Sequence, residues 1–424
     1  MRPSIISLFL AAGATALPRR PCKRPGQGQN LSAFSAHRGE VDVPEVEVTR
    51  ARPSVSKGAR PQTSPEVSIP KTSPSQTPAT NDEPESDVSA PAPSAPVATV
   101  PEESTSEESA PAAPVEAPAS GGTSSVSGLP SSWKPGAKWQ IVIDDPVDIT
   151  KPLNPPDAQV WVVDYFHSVE NPDIIPKLKS PSAGVDNTVI CYINLGAIQE
   201  SESDYPSFPK DAIGNDYDGY PEWWIDTSRS DVIDFMKKRL AKAAEVGCDG
   251  IDGDNIDGWD SGSAGDKTGF ALTKAESINY IRTLATYAHS LKTQRGLPLL
   301  FGQKNSQQLI PDVADYVDFA VLEDCQGSGD WCGEFQGFIT GAARSDGAKL
   351  PVFDIEYPDS GVDGDASIAQ SDWDHYCNRD PAVVGNAGFS TIIKRTSGEL
   401  DGWVQYCEDS ASAGVYTTNM IQWN

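Results

Sequence analysis

The stretch Asp249-Gly250-Ile251-Asp252-Gly253-Asp254-Asn255-Ile256-Asp257-Gly258 carries four carboxylates in ten residues. In an extended strand, Asp252 and Asp254 project to the same side while Ile251 and Gly253 face the other. Two carboxylates this close repel, so they need a cation or donors between them, and Lys304 is the candidate; such an environment separates their pKa values. The stretch does not read as a calcium loop. Ile256 stands at a ligand position, Asp257 replaces the turn glycine and no Glu follows at the twelfth position. A second carboxylate, Glu323, ends the apolar run Val317-Asp318-Phe319-Ala320-Val321-Leu322, just before Cys325. Hydrolysis of a glycosidic bond requires two carboxyl groups flanking it, one to protonate the departing oxygen and one to attack or to activate water. Glu323 with a carboxylate of the aspartate stretch could form such a pair. It could equally meet solvent or pair with Lys304, and the residues alone do not choose Asp254 over Asp252. Rival chemistries lack their motifs. There is no Gly-x-Ser-x-Gly elbow, no phosphate-binding glycine loop and no paired metal-ligand histidines.

Such groups must be delivered by elements, and eight short apolar runs offer them: Trp139–Ile143, Val160–Asp164, Val189–Asn194, Gly250–Asp254, Pro298–Gly302, Val317–Glu323, Pro351–Glu356 and Gly388–Lys394. Between several lie amphipathic helices, best marked at Asp231–Val246 and Lys274–Leu291. Repeated strand–helix order implies a parallel sheet, and continuously apolar strands imply burial on both faces. Eight units in this length fit an α/β fold of the eight-stranded (β/α)8 TIM-barrel type, with an open doubly wound sheet as the alternative. Polar residues recur at the carboxyl ends of the runs, where barrel enzymes build their sites: Asp164, Asn194, Asp252, Asp254, Lys304, Asn305, Glu323, Glu356 and Lys394. Tyr192, Asn255 and Tyr357 adjoin them as further substrate-binding candidates. Aromatic faces there could stack on sugar rings or pack in the core.

Across all 424 residues the character changes near residue 129. Residues 1–16 read as a secretory signal peptide, a cationic start followed by a short apolar run and small residues. Residues 17–128, rich in Pro, Ser, Thr and Ala, read as a disordered linker, because they cannot bury enough apolar surface to offset chain entropy. Residues 129–424 hold every Trp and read as one folded domain. No other segment is long and apolar enough to anchor in a membrane. The net charge of −27 disfavours nucleic acid and anionic membranes and would attract a cationic ligand. Of seven cysteines, Cys22 stands alone in the linker. The spacing suggests Cys325–Cys332 and Cys377–Cys407 bridges, with Cys191 and Cys248 as buried thiols.

The motifs Val163-Asp164-Tyr165-Phe166, Ile190-Cys191-Tyr192-Ile193, Trp224-Ile225-Asp226, Cys248 to Asp257, Gly302-Gln303-Lys304-Asn305, Asp318 to Cys325 and Ile355-Glu356-Tyr357, in this order, resemble glycoside hydrolase family 114, the endo-α-1,4-polygalactosaminidases. The resemblance spans the folded part. It implies an eight-stranded barrel without metal or organic cofactor, hydrolysing internal α-1,4 bonds of a galactosamine-containing polysaccharide with retention. It also implies Asp254 as nucleophile and Glu323 as acid/base. Three positions depart from the family pattern: Gly253 stands in place of Pro, and Leu322-Glu323-Asp324-Cys325 in place of Asn-Glu-Gln-Cys. The expectation is a secreted, extracellular monomer, with the cell wall as one destination, whose partner is a cationic amino-sugar polymer. A binding protein without turnover and a glycosidase of another amino-sugar linkage are the alternatives.

Overall fold

The computed structural model describes residues 128–422 apart from 132, 218, 262–265, 328, 359 and 396–399. The signal peptide, the linker up to residue 127 and Cys22 lie outside the described residues.

All eight apolar runs become strands of one sheet: β1 (Trp139–Val142), β2 (Val160–Asp164), β3 (Thr188–Asn194), β7 (Gly250–Asp254), β8 (Leu300–Lys304), β9 (Phe319–Glu323), β10 (Val352–Glu356) and β11 (Ser390–Ile393). The gap in numbers is filled by a small antiparallel sheet after β3, made of β4 (Ala197–Ile198), β5 (Ile213–Asp216) and β6 (Trp223–Ile225) in the order β4-β6-β5. Neighbours from β1 to β11 pair in parallel. Two unanticipated strands, β12 (Trp403–Tyr406) and β13 (Val415–Thr417), extend the sheet antiparallel beyond β11, giving ten strands. The fold is therefore α/β with a curled, mostly parallel sheet.

Alternation sorts the strand residues onto two faces. Trp139, Ile141, Val162, Ile190, Phe319, Val321, Phe353 and Ile355 meet on the inner face, a cluster that gathers side chains from strands distant in the sheet order. Trp161, Val163, Cys191, Ile251 and Leu322 pack on the outer face against the helices. The helix Ser230–Val246 buries Val232, Ile233, Phe235, Met236, Leu240, Ala243 and Ala244 and stops at Gly247, whose φ of 110° suits a residue without Cβ. The helix Lys274–Ser290 starts on a capping box between Thr273 and Glu276.

The structure corrects the cysteine assignment. Cys191 and Cys248 are joined in a disulfide, alongside Cys325–Cys332 and Cys377–Cys407. The two lie 57 residues apart in sequence, but Cys191 sits on β3 and Cys248 just precedes the neighbouring β7, so strand pairing brings them together. Among the described residues no helix is long and apolar enough to cross a membrane.

Candidate active site

Five side chains converge at the carboxyl ends of β3, β7, β8, β9 and β10. Lys304 is 3% exposed at the end of β8, with Nζ 3.1 Å from Asp254 Oδ1 and 3.3 Å from Glu323 Oε2. On the far side of each carboxylate a phenol completes the shell. Tyr192 donates its hydroxyl to Asp254 Oδ2 at 2.6 Å, and Tyr357 donates its own to Glu323 Oε1 at 2.6 Å. A single ammonium thus holds both carboxylates, and each has a further strong hydrogen-bond donor. The greatest possible separation of Asp254 Oδ1 from Glu323 Oε2 is about 6.4 Å, the sum of their two contacts with Nζ.

The backbone leaves the sheet abruptly after each of the three charged residues. Asn255, Asn305 and Asp324 have φ of 59°, 42° and 59°, the left-handed region that Asn and Asp tolerate better than most side chains. Asn305 also fixes the next strand: its Oδ1 accepts the Glu323 backbone N–H at 2.9 Å.

The other expected site residues have separate surroundings. Asn194 donates to Glu222 Oε2 at 2.8 Å and accepts Ala197 N–H, while Asn255 Oδ1 accepts the Tyr217 hydroxyl at 3.0 Å. These contacts tie the β3 and β7 ends to the small sheet. Asp252 lies on the same side of β7 as Asp254 but is fully buried beneath it. Asp164 caps the helix Tyr165–Glu170 by accepting His167 N–H at 2.8 Å, and burial raises its pKa. Glu356 does not join the cluster, because Ile355 and Tyr357 belong to the inner face and alternation sends Glu356 outward. There it is fully buried and accepts Gln326 N–H at 2.9 Å and Gly327 N–H at 3.3 Å, so it pins the chain that follows Glu323. Burial, with Asp354 nearby, pushes its pKa well up. Lys394 is also buried, donating to the Asp401 and Trp403 carbonyls at 2.7 and 2.8 Å, and desolvation lowers its pKa to about 7.

Three residues near the cluster were not singled out from sequence. Tyr217 and Glu222 come from the β5–β6 connection, whose short strands give no periodic signal. Asp257 stood in view within the aspartate stretch, but only as a misfit to a calcium loop. Burial, and then the charge of Asp254, raise its pKa to about 6. Among the described residues, the one grouping of metal-type ligands is Cys325, Cys332 and Glu356. Its two sulfurs are already joined to each other, which leaves no thiolate for an ion.

Two of the three departures from the family pattern, Leu322 and Gly253, lie off the face that carries the site. Leu322 is fully buried among the outer-face residues, away from the side of β9 that carries Glu323. A Cβ on Gly253 would lie 2.4 Å from Leu195 Cδ1, so glycine here matches the way Leu195 packs.

The chain is similar to Ega3 of Aspergillus fumigatus, solved in complex with galactosamine, at 30% identity and a TM-score of 0.53, covering 66% of this chain and 98% of that one. It also aligns with the glycoside hydrolase domain of PelA from Pseudomonas aeruginosa at 14% identity and a TM-score of 0.42, over 65% and 98% of the two chains. No curated protein sequence matches. The sequence pattern described as glycoside-hydrolase family GH114 matches residues 122–412, and the chain belongs to that family of glycoside hydrolases.

Proposed function

We propose that the protein is a secreted endo-glycosidase that cuts internal α-1,4-galactosaminidic bonds by a retaining mechanism, with Asp254 as nucleophile and Glu323 as acid/base. The observation that carries this reading is the single Lys304 ammonium in contact with both carboxylates. It keeps Asp254 Oδ1 and Glu323 Oε2 no more than about 6.4 Å apart, short of the roughly 6.5–9.5 Å that leaves room for water between the groups. In the first step Asp254 attacks the anomeric carbon as its bond to the departing oxygen breaks, and the Glu323 proton passes to that oxygen. In the second, ionised Glu323 takes a proton from water. The resulting hydroxide displaces Asp254, and Glu323 is again protonated.

The galactosamine bound to Ega3 supports an amino sugar as the unit recognised. A closed eight-stranded barrel is the finer reading of the sheet. It is supported by contacts between the first parallel strand and the last elements of the sheet, where Trp139 Nε1 donates to Ser390 O at 2.6 Å and Tyr406 donates its hydroxyl to Trp139 O at 2.7 Å. The binding-only alternative rested on Gly253 and Leu322, and neither position presents a lost contact to the site.

The test is incubation of wild type, Asp254→Asn and Glu323→Gln with defined galactosamine, N-acetylgalactosamine and glucosamine oligomers, with the anomer of the first product followed by NMR. Wild type should cut galactosamine oligomers with retention, and each variant should lose about 10²–10⁴-fold in kcat. Full activity in either variant, or an inverted first product, would overturn the assignment. Binding without cleavage would leave only the non-catalytic alternative.

A further inference from the structure

At the other end of the sheet from Asp254 and Glu323, a cavity of about 400 Å³ opens beside the first residues of β1 and β11. This lies within the roughly 300–1,000 Å³ of small-molecule sites. Tyr376, Phe389 and Tyr406, all buried, supply apolar wall. Arg379, Asn386 and Ser390 are among the polar side chains of the lining, the last only 6% exposed. Arg379 Nη1, Asn386 Oδ1 and Ser390 Oγ are shielded from bulk water and have no hydrogen-bond partner among the described residues. An orphaned buried donor or acceptor carries an uncompensated desolvation cost, so three around one cavity call for a polar occupant.

Charge narrows its class. The guanidinium is already neutralised, with Arg379 Nη2 on Asp330 at 2.8 Å, and Lys138 at the cavity lies 2.9 Å from Asp157 and 3.7 Å from Glu408. A free anion therefore gains little there. What remains is one N–H donor, one amide acceptor and one hydroxyl beside ring carbon, a set that matches the hydroxyls and C–H faces of a pyranose. Asn386 Oδ1 is an acceptor suited to an ammonium substituent.

We propose that this cavity is a second saccharide site, remote from the cleaving carboxylates, which holds one sugar unit of the amino-sugar polymer. It rests on the proposed function for the identity of the sugar alone. The test is calorimetric titration of an α-1,4-galactosamine tetramer into the Asp254→Asn chain, and into the same chain also carrying Arg379→Ala or Asn386→Ala. Two binding events per chain are expected, with one weakened at least tenfold by either added substitution. In a chain with native Asp254, both substitutions should leave kcat on the soluble tetramer unchanged. Ser390→Ala, which deletes a single oxygen, serves where thermal melts show that the larger truncations do not fold. One event per chain, or two that survive all three substitutions, would overturn the proposal and leave the orphaned atoms to ordered water. Cleavage by wild type with one binding event sinks the second site alone. A persistent cavity event without cleavage sinks the proposed function alone.

Discussion

Lys304 is the residue on which the site turns. A cation buried between two carboxylates offsets their repulsion, and removing it leaves two charges with less compensation in a poorly solvated place. Lys304→Met should therefore lower both the melting temperature and kcat, the latter by about 10²-fold or more, while Lys304→Arg should recover the former far better than the latter. Thermal melts beside steady-state kinetics check this, and wild-type kcat in the methionine variant would contradict it. Asp257 makes a separate, signed prediction. Its folded pKa of about 6 lies above the ordinary 3.8, so the native state binds more protons than the unfolded state between those values, and this contribution to stability is lost as pH rises through them. Asp257→Asn should raise the melting temperature by a few degrees at pH 8 and leave it unchanged at pH 3. A gain equal at both pH values would dismiss the buried charge as its cause. The sequence displayed Glu323 at the end of an apolar run, Lys304 just after another, and Asp254 beside Asp252 in the aspartate stretch. It concealed Asp257, whose raised pKa comes from desolvation in the folded chain.

Elements decide whether those side chains meet. The eight parallel strands were legible because burial on both faces leaves a continuous apolar run, whereas β12 and β13 pair antiparallel at the sheet edge in runs of four and three residues. The face of a residue was harder to read: Glu356 and Tyr357 both follow the β10 run, yet alternation gives the inner face to Tyr357. One contact shows how closely elements approach at the site. A Cβ on Gly196 would fall 1.7 Å from the Asn255 carbonyl oxygen, a backbone atom that cannot swing aside, and next to it Leu195 N–H donates to Asp254 O at 3.0 Å. Gly196→Ala must displace the turn that carries Asp254. Misplacement of about 1 Å can cost 10²-fold in rate, so kcat should fall at least tenfold with the circular dichroism spectrum retained. Activity at the wild-type level would mean that the β3 and β7 ends move independently. The Cys191–Cys248 bridge acts on the same pair of strands. Its paired replacement by Ala should destabilise the fold by about 2–4 kcal/mol in denaturant melts.

At the scale of the molecule, the sequence states a net charge of −27 without saying where it acts. Part belongs to residues 17–128, while surface pairs such as Arg229 with Asp211 and Asp231 largely cancel and are worth little to stability. The structure locates an imbalance that matters to a ligand. Around the convergent strand ends stand Glu222, Asp254, Asp257 and Glu323, with Lys304 as the cation between two of them. A polymer with free amines would be drawn toward such a rim before making any close contact, whereas an N-acetylated one would not. This attraction acts over a screening length of about 10 Å at 0.1 M salt and about 3 Å at 1 M. Raising salt over that interval should therefore reduce kcat/KM for a deacetylated galactosamine oligomer at least several-fold, mainly through KM, and leave the value for its N-acetylated counterpart nearly constant. The two slopes measured side by side separate steering from a general effect of salt on the fold, because the latter would lower both. Parallel slopes would remove charge from the account of substrate choice and leave it to the shape of the rim.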